Sequence, residues 1–243
     1  VCLNLKLISP REVLTVAENA YHSGHASLSS VEGFIRQILG WREFVRLIHH
    51  HRMPEYVNSN SLNAQEALPN FFWTGDTEMC CLNDCIQQTL STGYNHHIQR
   101  LMVTGLYTLM LGVNPKQVHE WFLSMYVDAV EWVEMPNVIG MSQFADGGIM
   151  GSKPYVATGK YINRMSNYCK SCRYDPSKST GKEACPFTTL YWDFLDKHHE
   201  QLRTNPRMSL QLRNLERIEP FQLQLIREQA TQIREHGTVS LAA

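Results

Sequence analysis

Three cysteines and the loop between them carry the strongest chemical signal in this chain: Cys169-x2-Cys172-x12-Cys185, followed by Pro186. Thiolates three residues apart on one turn can share a metal centre, and a third thiolate returned by a twelve-residue loop adds another ligand. The intervening KSCRYDPSKSTGKEA at 170–184 has no apolar periodicity, so something other than a core is expected to hold it. Four ligands complete either a tetrahedral zinc or a cubane iron–sulfur cluster. No His stands at finger spacing, so the fourth ligand falls to Cys80, Cys81 or Cys85, and both metals stay open at this point. The Cys-Pro step is a feature of some iron–sulfur ligand runs. The competing reading is a set of unliganded thiols in a polar loop. Seven cysteines, an odd and clustered set with no visible export signal, argue against a disulfide framework.

The second constellation is HHIQR at 96–100, with His96, His97 and Arg100 expected in the middle of an otherwise apolar helix. Imidazole and guanidinium groups are costly to bury there unless paired. The next helix offers Asp128 on its apolar side, with Glu131 and Glu134 close by. An interhelical pair of Arg100 with a carboxylate is expected, either as a structural network or facing a charged cofactor. A His beside it can act as a general acid, because its unperturbed pKa lies near neutrality. Trp41, Trp73, Trp121 and Trp132 read as large core pieces, or as an electron relay if they stand in series.

The elements that must position these groups read as helices. Ser29 with Glu32 three residues on fits a capping box, and it opens a run in which Val31, Phe34, Ile38, Phe44 and Ile48 keep a helical period. Residues 51–70 are polar, broken by two prolines, and read as a loop. A helical stretch is expected over 81–111, and another over 115–133 with Asn114 as N-cap and Pro115 in its first position. Residues 136–160, rich in Gly and Pro, read as a long ordered loop, which inside a compact domain is usually functional. Helices follow at 186–203 and 208–236, the latter interrupted at Pro220 and closed by Gly237. The fold class expected is all-α.

Lys plus Arg number 22 against 23 Asp plus Glu, so no overall basic field gathers nucleic acid and any such contact must be a local patch. Lys153, Arg164, Lys170 and Arg173 are candidates for it, against the plainer reading of solvating surface cations. No run of about 18 apolar residues is present, so no membrane span is expected. The chain lacks an initiator Met and begins abruptly.

Taken together, GWREF at 40–44, FFWTGDTEMCCL at 71–82, HHIQRLMVTG at 96–105, YVDAVEWVEMPNVIGMSQFADGG at 126–148 and the cysteine region from Met165 resemble the bacterial iron–sulfur clade of the cryptochrome/photolyase family. The resemblance runs from about Leu3 to the C-terminus. It implies that residues 1–243 are the C-terminal part of a helical domain binding FAD and a [4Fe–4S] cluster, with the cysteine loop at 165–190. It also implies that an N-terminal α/β antenna domain precedes this part, where any antenna chromophore would sit, together with the upstream Ser/Thr region that helps hold the FAD phosphates.

Position by position, the resemblance makes Cys81, Cys169, Cys172 and Cys185 the cluster ligands and leaves Cys80 and Cys85 as bystanders. Gln37, Arg42, Arg100, Asp128 and Glu134 fall where the family contacts FAD, with Arg100 and Asp128 as the charged pair beside the isoalloxazine and Glu134 near flavin N5. His97, with His96 beside it, matches the active-site His of (6-4) enzymes. The animal (6-4) branch has a second His directly after the Arg; here that position is Leu101, and Tyr155 in KPY is the substitute partner at the lesion. Trp41 and Tyr155 would line the substrate pocket, and Trp73 and Trp121 would carry electrons to the flavin. The function implied is light-driven, FAD-dependent repair of UV-damaged DNA, above all (6-4) pyrimidine photoproducts, by a cytoplasmic bacterial monomer. The alternatives are a cryptochrome-type blue-light receptor and a metal-stabilised helical DNA-binding module without flavin.

Overall fold

The computed structural model describes residues 2–236, and among them all regular elements are helical, with two isolated β-bridges. The all-α expectation holds. No helix among the described residues is long and apolar enough to cross a membrane.

Helix α1 (Pro10–His22) begins at a capping box: the backbone N–H of Arg11 donates to Ser9 Oγ, and that of Ser9 donates to Glu12 Oε2 at 2.9 Å. Helix α2 (Leu28–Arg36) is capped by Ser27, whose Oγ accepts from the backbone N–H of Ser30. The cap expected at Ser29 is therefore corrected; Ser29 already lies inside the first turn. A π-helical segment, Gln37–Arg42, joins α2 to α3 (Glu43–Arg52). Of the loop expected at 51–70, residues 51 and 52 finish α3 and a 3-10 turn forms at Glu55–Asn58. The short α4 (Phe71–Thr74) then leads to α5 (Cys80–Thr92).

The single stretch expected over 81–111 is broken. α5 ends on Gly93, which adopts φ +63°, and a Cβ there would stand 2.6 Å from Val127 Cγ1, so both conformation and space require glycine. The chain restarts at α6 (His97–Gln99), passes through a second π-helical segment, Arg100–Gly105, and continues as α7 (Leu106–Leu111). HHIQR thus opens a helix rather than sitting inside one. The cap expected at Asn114 is present, its side chain accepting from the N–H of Lys116, and it starts α8 (Pro115–Met125). This helix stops eight residues earlier than expected, because Tyr126 turns extended. Asp128 consequently lies in the turn before α9 (Glu131–Met135), and a third π-helical segment, Pro136–Ser142, continues α9 directly. The long loop expected at 136–160 shrinks to residues 143–158. Helices α10 (Gly159–Met165), α11 (Pro186–Lys197), α12 (His199–Leu202), α13 (Ser209–Leu215) and α14 (Pro220–His236) complete the fold. The stop expected at Gly237 lies outside the described residues.

Two apolar clusters hold the helices. The larger packs Phe72, Leu82, Ile86, Tyr107, Trp121, Phe187 and Phe194; the smaller packs Val45, Ile48, Tyr56, Met135 and Ile139. The second and third π-helical segments pack against each other. A π-turn fits an extra residue into a helical turn, and such turns concentrate at functional sites. Here all three contribute to the wall of one cavity: Gln37 and Trp41 from the first, Arg100 and Leu101 from the second, Asn137, Val138, Met141 and Ser142 from the third.

Candidate functional site

Arg100 is held from several directions. Buried Asn95 gives its side-chain amide to the carbonyl of Cys85 and to Thr89 Oγ1, which fixes its own backbone carbonyl as acceptor for Arg100 Nε at 2.8 Å. Arg100 Nη1 donates to Asp128 Oδ1 at 2.9 Å. The guanidinium carbon lies over the ring of Tyr126, 3.9 Å from its centroid, with Tyr94 at 5.0 Å. Nη2 is buried and has no protein partner. A planar cation is thus locked in place with one donor left unused. The interhelical pair expected of Arg100 and Asp128 is present, although the carboxylate comes from a turn.

The cavity beside it encloses about 480 Å³, the size of a small-molecule site. It brings together six residues singled out from the sequence: Gln37, Trp41, His97, Arg100, Asp128 and Glu134. Glu134 is buried and binds His119 Nδ1 through Oε2 at 2.5 Å, while Oε1 has no partner. Burial pushes the Glu134 carboxyl above its ordinary range, against the pull of His119. Burial, then the charges of His96 and Arg100, hold His97 below the ordinary imidazole value.

Other expected residues lie elsewhere. Arg42 stacks on Trp132 at 4.9 Å, pairs with Glu43, and lines a neighbouring cavity with Lys6, Arg46, His49 and His50. His96 is the N-cap of α6: its Nδ1 accepts from the N–H of Ile98, and its own N–H donates to Gln99 Oε1. Its side chain lines a separate apolar groove with Tyr161 and Met165. Tyr155 is exposed beside Gly151 and is not among the cavity-lining residues. Trp121 is 1% exposed and donates Nε1–H to the carbonyl of Phe72, whose ring meets it edge-on at 5.2 Å. Trp121 also touches Phe122, which reaches the cavity wall, whereas Trp73 is 53% exposed at the surface. Of the basic-patch candidates, Arg173 pairs with Glu78 and Arg164 lies over Tyr161.

Sequence reasoning missed His119, Asn95 and Tyr126. The spacing of His119 and Glu134, fifteen residues apart across a turn, had no recognisable pattern, since only the packing of α8 against α9 brings them together.

The cysteines gather on one side of α5. Cys81 and Cys185 are buried, Cys169 and Cys172 half-buried, and all are free thiols. Burial, and then Cys185, Cys85, Cys172 and Cys169 around it, push the Cys81 thiol up. Burial pushes Cys185 up to about 12. Cys85 instead faces the Tyr168 hydroxyl, and Cys80 is hydrogen-bonded to Cys172. Among the described residues no three His, Cys, Asp or Glu side chains converge closely enough to hold a single metal ion. The loop is also not held by thiols alone. Asp175 bridges to Ala184, Thr188 and Thr189 hydroxyls donate to the carbonyls of Pro176 and Ser179 at 2.8 Å, and Gln229 binds the backbone of Gly181.

The chain is 55% identical over 207 residues to a (6-4) photolyase of Agrobacterium fabrum, which is 85% of this chain and 41% of that protein. The chain spans about two fifths of the length of this relative. A second relative, an uncharacterised protein of Acanthamoeba polyphaga mimivirus, is 30% identical over 98 residues, which is 40% of this chain and 72% of the viral one. No protein-family profile matches the chain. The helical architecture around the cavity agrees with the helical domain of photolyases.

Proposed function

We propose that this chain is the flavin-holding and cluster-bearing part of a light-driven enzyme that repairs (6-4) pyrimidine photoproducts in DNA. The observation that carries the reading is the meeting of Arg100, Asp128, His97, Trp41, Gln37 and Glu134 on one cavity in which Arg100 Nη2 and Glu134 Oε1 are buried without partners. A flat ring edged with carbonyl oxygens and ring nitrogens fits this set, because it offers an acceptor to the guanidinium and a polar edge to the carboxyl. The likeness to a named (6-4) photolyase adds independent support.

When bound, reduced flavin supplies a light-excited electron, which acid–base groups alone cannot provide. Arg100 would balance negative charge at the ring, and Asp128, Asn95 and Tyr126 keep the guanidinium in its plane. His97 stands at the cavity edge, where it can hold a proton toward the damaged base. Trp41 gives that base an apolar wall, and Tyr155 would close over it from the 143–158 loop. The lesion must leave the duplex to arrive there, at a cost of a few kcal/mol that is least for a poorly stacked base. Trp121, through Phe122, offers an aromatic path to the cavity. Arg42 would serve the ring's phosphate-bearing tail from the adjoining cavity rather than the ring itself.

The four thiols Cys81, Cys169, Cys172 and Cys185 are proposed to hold a [4Fe–4S] cluster. Cys185, Cys172 and Cys169 all act on buried Cys81, which makes the four thiols neighbours.

The test is repair of an oligonucleotide carrying one (6-4) photoproduct, under blue light, by the full-length protein. Repair is expected, and His97→Ala should lower it by about 10²-fold or more while flavin absorbance is retained. Flavin-loaded wild-type protein that restores no bases would overturn repair in favour of photoreception.

A further inference from the structure

The pair of His119 and Glu134 is not accounted for by packing. Two ionisable side chains, 4% and 8% exposed, are held 2.5 Å apart in the interior beside a cavity. One carboxylate oxygen is bound and the other has no partner although its residue lines the cavity wall. A carboxylate buried alone would be strongly disfavoured, and an imidazole placed behind it supplies either a hydrogen bond or a compensating charge.

We infer that His119 is the positioning residue for Glu134: it fixes Oε2 from behind, presents Oε1 to the cavity, and shares one proton with the carboxyl so that the pair stays near zero net charge. The inference rests on the flavin reading for the identity of the ring that Oε1 would meet, and extends it by naming the residue that sets the charge of that contact. Its physical logic is that the cavity already contains the Arg100 and Asp128 pair. A further, uncompensated carboxylate on the same cavity would repel a ring that gathers negative charge, whereas a carboxyl balanced by the proton it shares with His119 leaves Oε1 as an acceptor for an N–H at the ring's edge. The proton can rest on His119 Nδ1 or on Glu134 Oε2, and moving between them needs no displacement of heavy atoms.

The surroundings agree with a retained proton. Burial would pull His119 down, yet the hydrogen bond to Glu134 and the charges of Glu134, Glu131 and Glu120 carry it above its ordinary value. Burial raises Glu134 as well, opposed by His119 and Arg100. Helix α8 contributes Glu120 and α9 contributes Glu131, itself within reach of His49 on α3 at 4.0 Å. The 3-10 turn at Glu55–Asn58, also packed on α8, brings exposed Glu55 and a Tyr56 whose hydroxyl donates to Asp146 instead. The π-helical segment at Pro136–Ser142 brings no titratable group.

Two substitutions separate holding from charging. In His119→Asn the carboxamide nitrogen can stand where Nδ1 stood, so the hydrogen bond is kept and the charge is lost; His119→Leu removes both. The protonated-carboxyl infrared band of Glu134, assigned by its loss in Glu134→Gln, is followed against pH in full-length protein stripped of flavin. Without a charged imidazole the carboxyl should keep its proton to higher pH, so in His119→Asn the band should persist about one pH unit or more above wild type. His119→Asn should retain flavin, and His119→Leu should weaken flavin binding about tenfold or more. A band with the same pH dependence in wild type and His119→Asn overturns the inference. If the band shifts as expected but wild-type protein never takes up flavin, the proposed function fails and the pairing stands.

Discussion

His97 and His96 are adjacent in the chain and face different surroundings, one in the cavity wall and the other capping a helix while its ring lines an apolar groove. Burial first, then the charges of His96 and Arg100, hold His97 below the ordinary 6.5. A proton-donating role at neutral pH is therefore helped by a nearby negative charge, such as a DNA phosphate, that raises it. The sign is testable through its neighbour. His96→Asn keeps a good N-cap acceptor and removes one of the two charges, so the His97 titration followed by NMR should move upward. A repair step that needs protonated His97 loses rate as pH rises, and the same substitution should carry that falling limb to higher pH. A His97 titration unmoved by His96→Asn would assign the whole depression to burial and Arg100.

At the scale of elements, the cavity is walled by three π-helical segments, of which the second and third pack against each other. Gly105 ends the second segment, and a Cβ there would overlap Ser142 Oγ of the third and stand 2.7 Å from the carbonyl of Arg100. Gly105→Ala should push the segments apart, lowering unfolding free energy by about 1–3 kcal/mol, the usual range for overpacking. Flavin retention should fall with it, because Arg100 and Ser142 sit on the two displaced segments. Denaturant midpoints check the first expectation. Adding Ser142→Gly removes the clashing hydroxymethyl group and should recover part of the loss, because residues in contact couple.

For the molecule as a whole, the cysteine loop lies beside buried Cys81 of α5, leads into α11 at Cys185 and binds α14 through Gln229. The expectation that something other than a core holds this loop is met in its far half, where Thr188, Thr189 and Gln229 bind it. Cys172→Ser in the cluster-loaded protein should therefore raise amide exchange over 168–174 while 175–185 stays protected. Equal exchange across both halves would show that the side-chain hydrogen bonds hold nothing by themselves. Unchanged exchange in both would remove any structural role for a cluster.

Local chemistry was legible in the sequence wherever the signal is local. The Asn114 and Pro115 start needs only residues within one turn, and the apolar periodicity of α8 and the interruption at Pro220 follow from neighbours in the chain. The Cys169 and Cys172 spacing was readable for the same reason, whereas the Arg100 and Asp128 pair, 28 residues apart, was readable from residue type, because a cation placed among apolar neighbours needs a carboxylate from the next element. The packing of α8 on α9 joined His119 to Glu134, and the approach of two π-helical segments placed Gly105 against Ser142. Neither leaves a periodic trace. Whether a histidine caps a helix, lines a cavity or backs a carboxylate was likewise decided by burial, and burial is a property of the assembled chain rather than of any stretch of it.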